Sequence, residues 1–143
     1  MGFGVAVDLA AFAPGTSTAW AGYDLELAYD ATVLQVNGDT RGMCAADSWT
    51  NAELAPSIVS GCFRQTITTT GTLETITLTC VRDGSSALRL VSPEAPDRTS
   101  SGTSLFDEFA NPFATTLVSG SVTCGGPGPT ATPSPAASAI PAG

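Results

Sequence analysis

The chain contains no histidine and no lysine. The first absence removes the commonest general base and the commonest metal ligand, and most catalytic readings weaken together. The second leaves five arginines against 13 acidic residues, a net charge of −8. Such a chain repels phosphate backbones, which argues against a nucleic-acid ligand. No stretch approaches the roughly 20 apolar residues that a membrane span needs. No Asn-x-Ser/Thr sequon and no Cys-x-x-Cys pair occurs. Residues 1–15 have neither a basic start nor a continuous apolar run, so a secretory signal is expected to have been removed or to lie outside this sequence.

What is present suits one exported domain. A length of 143 residues with 43% apolar content supports a single core rather than two. Four cysteines among many Thr, Ser, Gly and Pro residues point to an oxidising compartment, hence an extracellular or cell-surface location and two disulfides. Zinc is disfavoured, because no paired spacing and no histidine supports it. Free buried thiols are the remaining alternative.

Residues 20–36, WAGYDLELAYDATVLQV, organise the rest. Tyr23, Leu25, Leu27 and Tyr29 alternate with Asp24, Glu26, Ala28 and Asp30, the period of a strand with one face in a core. Asp30 suits the turn that follows, and Val33, Leu34 and Val36 return to apolar surroundings. Ahead of this stretch, residues 2–9 alternate in the same way, and a turn at residues 13–16 makes the two strands expected antiparallel neighbours. Residues 37–42 read as a polar loop. Thr50 and Glu53 suit one capped helical turn before Pro56. Residues 57–70 read as extended, and residues 73–81 form a second clear strand, with Ile76, Leu78 and Cys80 against Thr75, Thr77 and Thr79. Shorter strands are expected over 87–91, 104–106, 113–117 and 120–124, with a loop over 92–102. Eight or nine short strands make an all-β sandwich over residues 1–124.

Several of these segments, in order, resemble cohesin modules: residues 5–9, the Tyr-Asp turn within 20–36, GTLETITLTCV at 71–81, residues 86–90, and the run from Phe106 through Asn111-Pro112 to GSVTC. The resemblance implies a jelly-roll β-sandwich, a role in protein association, and dockerin capture on the sheet that holds the third and sixth strands. On that sheet Asp24, Glu26, Thr75, Thr77 and Thr79 are the expected partner-binding face. Cohesins usually carry one further strand ahead of the position where residue 1 falls, so either this sequence starts after that strand or a sheet edge is expected to lack its partner. The cysteines of 44–62 read as a stapled insertion. Cys80 and Cys124 share an inward face, so a bond between them would join the sheets and leave Cys44 to Cys62, each bond contributing about 2 to 4 kcal/mol.

Residues 125–143 form a Pro/Thr/Ser/Ala-rich tail with five of the ten prolines and no charge. One reading is an extended linker. The other begins with Pro127, Pro129, Pro133 and Pro135, whose odd numbering leaves an extended segment able to pair on one edge only. On that reading the tail docks through Thr130, Thr132 and Ser134 onto the open edge of a neighbouring subunit, which repeated head to tail builds a fibre. Thr130, Thr132, Ser134 and Ser138 also suit O-glycosylation.

Other chemistry finds less support. Glycan binding would rest on Trp20, Trp49, Phe106 and Phe109 as stacking platforms. Calcium would need Asp107, Glu108 and Asn111, which lack EF-hand spacing. No pair of carboxylates is placed as a glycosidase requires. The expected protein is a non-catalytic, secreted association module without cofactor or metal. Self-assembly through the tail comes first, dockerin binding and carbohydrate binding follow as alternatives, and the partner is a second copy or another secreted protein.

Overall fold

In a computed structural model, the structure describes residues 2–12, 22–63, 71–107, 109, 111–112, 114–125, 130–131 and 136–140. Twelve strands among these residues build two packed sheets: β1 (Gly2–Phe12), β2 (Gly22–Ala28), β3 (Leu34–Arg41), β4 (Trp49–Leu54), β5 (Ser57–Cys62), β6 (Gly71–Cys80), β7 (Gly84–Leu90), β8 (Ser104–Phe106), β9 (Ala114–Val118), β10 (Gly120–Cys124), β11 (Thr130–Ala131) and β12 (Ala136–Ile140). The first sheet has the order β3-β6-β1-β12-β9. The second has the order β11-β10-β7-β2-β5-β4, with β8 also paired to β2.

The alternation read from the sequence sets the core. Val5 and Val7 of β1 and Ile76 and Leu78 of β6 project from one sheet, and Tyr23, Leu25 and Leu27 of β2, Leu88 of β7 and Val122 of β10 from the other. Each is 3% exposed or less, and burying one such side chain contributes about 2 kcal/mol. This facing arrangement overturns the expected pairing of the first two strands. β1 and β2 lie in different sheets, so that their apolar faces meet across the core instead of sharing one sheet face.

Two other expectations fail for a common reason, which is that ladder pairing overrides local residue preference. Residues 37–42 are polar, yet β3 continues to Arg41 against β6, with a register shift between Val36 and Gly38. Its position at the sheet edge lets the polar side chains reach water. Thr50 and Glu53 form no helical turn. A short 3-10 turn, Ala46–Ser48, leads into β4, which pairs with β5 from Trp49 against Cys62 to Leu54 against Ser57. Of the expected extended segment 57–70, β5 ends at Cys62 and residues 64–70 lie outside the described residues.

Both disulfides cross between the layers. Cys44, just beyond β3, bonds Cys62 at the end of β5, with Cα atoms 5.9 Å apart. Cys80, ending β6, bonds Cys124, ending β10, with Cα atoms 5.8 Å apart. β9 and β10 are separated only by Ser119 and belong to different sheets, so this part of the chain changes layer without a loop.

Candidate functional site

Two places bear on association, and the first is a slot in the first sheet. β12 occupies it, running parallel to β1 with Asp8 opposite Ala136 and Leu9 opposite Ala137. On its other side it is antiparallel to β9, with Leu117 opposite Ala137 and Thr116 opposite Ser138. Among the described pairings, β9 has no ladder except this one. The sheet edge expected to lack a partner therefore receives one from residues 125–143, within the same chain.

Of the three residues expected to dock, only Thr130 is among the described residues. Thr130 stands opposite Thr123 in the short β10–β11 ladder of the second sheet, while Thr132 and Ser134 lie outside the described residues. The strand that fills the slot is 136–140, which contains no proline and pairs on both sides, whereas the one-sided segment read from proline spacing lies before it. Of the residues suited to O-glycosylation, Ser138 falls within β12.

The second place is the outer face of β2 and β5. The five residues expected to form one partner-binding face are divided by the structure: Asp24 and Glu26 lie on β2 in the second sheet, and Thr75, Thr77 and Thr79 on β6 in the first. The three threonines are half-buried beside Gly2 and Gly4, and a side chain at either glycine would press on a threonine methyl. They form a flat surface of small residues.

Glu26 is not on the surface at all, being 0% exposed. Residues 92–103 cross over it. Its Oε1 accepts the Ser100 amide at 2.9 Å and the Ser100 hydroxyl at 2.8 Å. Its Oε2 accepts the Thr99 amide at 3.0 Å, the Thr99 hydroxyl at 3.1 Å and the Ser57 hydroxyl at 3.2 Å. Burial works against the charge, but the bonds from Thr99 and Ser100 outweigh it and hold the carboxyl below its ordinary range. Asp24, one step along the same face, accepts the Ser101 hydroxyl at 3.0 Å. Both carboxylates are thus committed to the crossing segment, which leaves shallow grooves beside it, one lined by Thr50, Ala52, Val59 and Gly61 and one by Ala28, Pro56, Ala87 and Arg89. Sequence reasoning missed this arrangement because Glu26 and Thr99 are 73 positions apart. The only signal was the run of hydroxyl residues at 99–104.

The remaining candidates are dispersed. Trp49 packs against the core, Phe106 is half-buried, Phe109 is 77% exposed, and Trp20 lies outside the described residues. Asp107 accepts the amides of Phe109 and Asn111, each at 2.9 Å, and the Asn111 side-chain amide at 3.2 Å. These bonds, the Asn111 amide foremost, hold its carboxyl below the usual range and use it to close a turn. The Glu108 side chain lies outside the described residues. Among the described residues no three His, Cys, Asp or Glu side chains converge to hold a metal, and no helix is long and apolar enough to cross a membrane.

No protein-family model and no curated protein matches the chain in sequence. Solved structures do match in fold. A Clostridium thermocellum cohesin–dockerin complex, Coh-OlpA-Doc918, matches with a TM-score of 0.60 and 15% identity over 98% of this chain and 89% of the other. A second complex from that organism, Coh-OlpC-Doc435, gives 0.59 and 11% over 95% and 94%. The non-cellulosomal cohesin of the hyperthermophilic archaeon Archaeoglobus fulgidus gives 0.54 and 16% over 96% and 90%. With its two disulfides and paired sheets, this chain has the fold of cohesin modules.

Proposed function

We propose that this is a non-catalytic extracellular module that acts by protein–protein association, and that the association is an exchange of its last strand. In the exchange, β12 of one copy enters the slot between β1 and β9 of the next. The observation that supports this reading is the slot itself, which takes a strand from the far end of the chain and pairs it on both sides. A strand that fits its own sandwich fits an identical neighbour equally well. Passed head to tail, such a contact does not close on itself and yields a surface fibre or scaffold.

Capture of a dockerin-bearing protein is the second reading, supported by the two Clostridium thermocellum cohesins solved as dockerin complexes. The segment crossing Glu26 covers part of the β2 and β5 face, which favours the strand-exchange reading. Carbohydrate binding has the exposed Phe109 in its favour and no second aromatic platform among the described candidates.

Thr116 and Ser138 stand directly opposite in the β9–β12 ladder. Their joint replacement, Thr116→Cys with Ser138→Cys, reports which chain supplies the strand. On non-reducing electrophoresis, exchange gives a ladder of covalent multimers. Covalent monomers alone would sink the exchange reading, and the search would move to dockerin-bearing proteins. Mass spectrometry of the same sample reads O-glycosylation at Thr130, Thr132, Ser134 and Ser138.

A further inference from the structure

Away from both places, several polar side chains converge inside the sandwich. Glu74 of β6 is 0% exposed, and both of its carboxyl oxygens lack a hydrogen-bond partner. The same holds for Oδ2 of Asp39 on β3, Oγ of Ser60 on β5 and Nε1 of Trp49 on β4. β3 is the edge of the first sheet and β4 the edge of the second, so this cluster sits on the side of the sandwich where two sheet edges, unpaired among the described residues, face each other. Asn51 of β4 bridges that side by donating its side-chain amide to Asp39.

Among the described residues, the charged surroundings offer no compensation. Arg41 is the cross-strand neighbour of Glu74, but it is exposed and donates to the Cys44 carbonyl at 2.9 Å. Toward the core, Tyr23 of β2 donates its hydroxyl to the Leu73 carbonyl at 3.3 Å. Glu53 of β4 interacts with Tyr29. On the β1 side the residue opposite Glu74 is Val7. Two ionised carboxylates here, Glu74 buried and Asp39 half-buried, would face each other with no cation beside them among the described residues, an arrangement that proteins avoid by retaining a proton.

We propose that Asp39 and Glu74 share one proton and act as a pH-dependent latch on the β3–β4 side of the sandwich. With the proton in place, the pair is a neutral acid bonded to a carboxylate, and Asn51 holds β4 against it. Loss of the proton leaves two facing negative charges across the β3–β6 ladder and weakens the hold on that edge strand. Burial, with the Asp39 charge beside it, raises Glu74 to about 8, and burial raises Asp39 as well. A carboxyl raised in the folded state stabilises it fully below the unfolded value, near 4.5, and that contribution is lost as pH climbs through about 8.

The test is carbon-detected NMR of the side-chain carboxyls in the wild-type chain, with thermal melts from pH 5 to 9. The expected result is a Glu74 carboxyl that titrates near neutrality or above, together with a melting point that falls by several degrees across the range and then levels. Glu74→Gln should flatten that fall. Should it fail to fold, the wild-type titration still decides, because a midpoint in the ordinary carboxylate range overturns the proposal. Millimolar calcium should leave the melting point at pH 9 unchanged. If calcium restores it, the pair is a cation site and the latch is wrong.

Discussion

Ser100 gives both its backbone amide and its hydroxyl to the Glu26 carboxylate, at 2.9 and 2.8 Å. Thr99 does the same from the next position, with its amide at 3.0 Å and its hydroxyl at 3.1 Å. One buried carboxylate therefore fixes the path of the segment over β2. Glu26→Ala should lose about 3 kcal/mol of stability, as expected for removing a buried charged acceptor and orphaning its donors. Urea denaturation measures the loss, and faster proteolysis within residues 92–103 locates it.

Glu26 also sets an acid limit. Its carboxyl is held below the ordinary range, so its contribution is present above the unfolded value and lost as pH falls through the folded one. Melts between pH 6 and 2 should show declining stability, and Glu26→Gln should flatten the decline.

The two disulfides should differ in effect. Cys80–Cys124 closes a separation of 44 residues and Cys44–Cys62 one of 18. By loop entropy, their removal costs about 4 and about 3 kcal/mol respectively. Paired Cys→Ser variants, compared by denaturant midpoint, should rank in that order.

Gly42 tests the close approach beyond β3. A Cβ at this position would run into the Thr72 carbonyl oxygen, and the Gly42 amide donates to the Leu73 carbonyl at 2.8 Å. Gly42→Ala should therefore destabilise by about 2 kcal/mol or more, since backbone must move to admit the methyl. The melting point reports it.

Ala137→Pro removes an amide from a strand paired on both sides. Hydrogen exchange should accelerate at β9 amides and at the C-terminal half of β1, while β5 and β7 stay protected.

Much of the fold was legible because its strands alternate cleanly. Tyr23 through Tyr29 faced the core as their spacing required, and Ser104–Phe106 and Gly120–Cys124 fell where turn residues bounded them. Sheet membership was harder to read, because alternation says which side of a strand is apolar and not which sheet receives it. That is why Asp24 and Thr75 were expected together and are found on different layers. β3 and β4 were obscured by polar residues that only an edge strand tolerates. Glu26 reads from the sequence as part of an outward, partner-binding face because its hydrogen-bond partners arrive from 73 positions away.

Cys124 is followed at once by Gly125, where the chain turns out of β10 with φ +122°. The bond from Cys124 to Cys80 puts a covalent tie at that exit, leading to β6 in the opposite layer, and β6 is laddered along β1. Tension on the C-terminal segment is therefore shared between sheets before it can peel β10 from β7. Once β12 and β11 are stripped from their ladders, force meets a riveted joint, and hydrogen bonds alone no longer bear it.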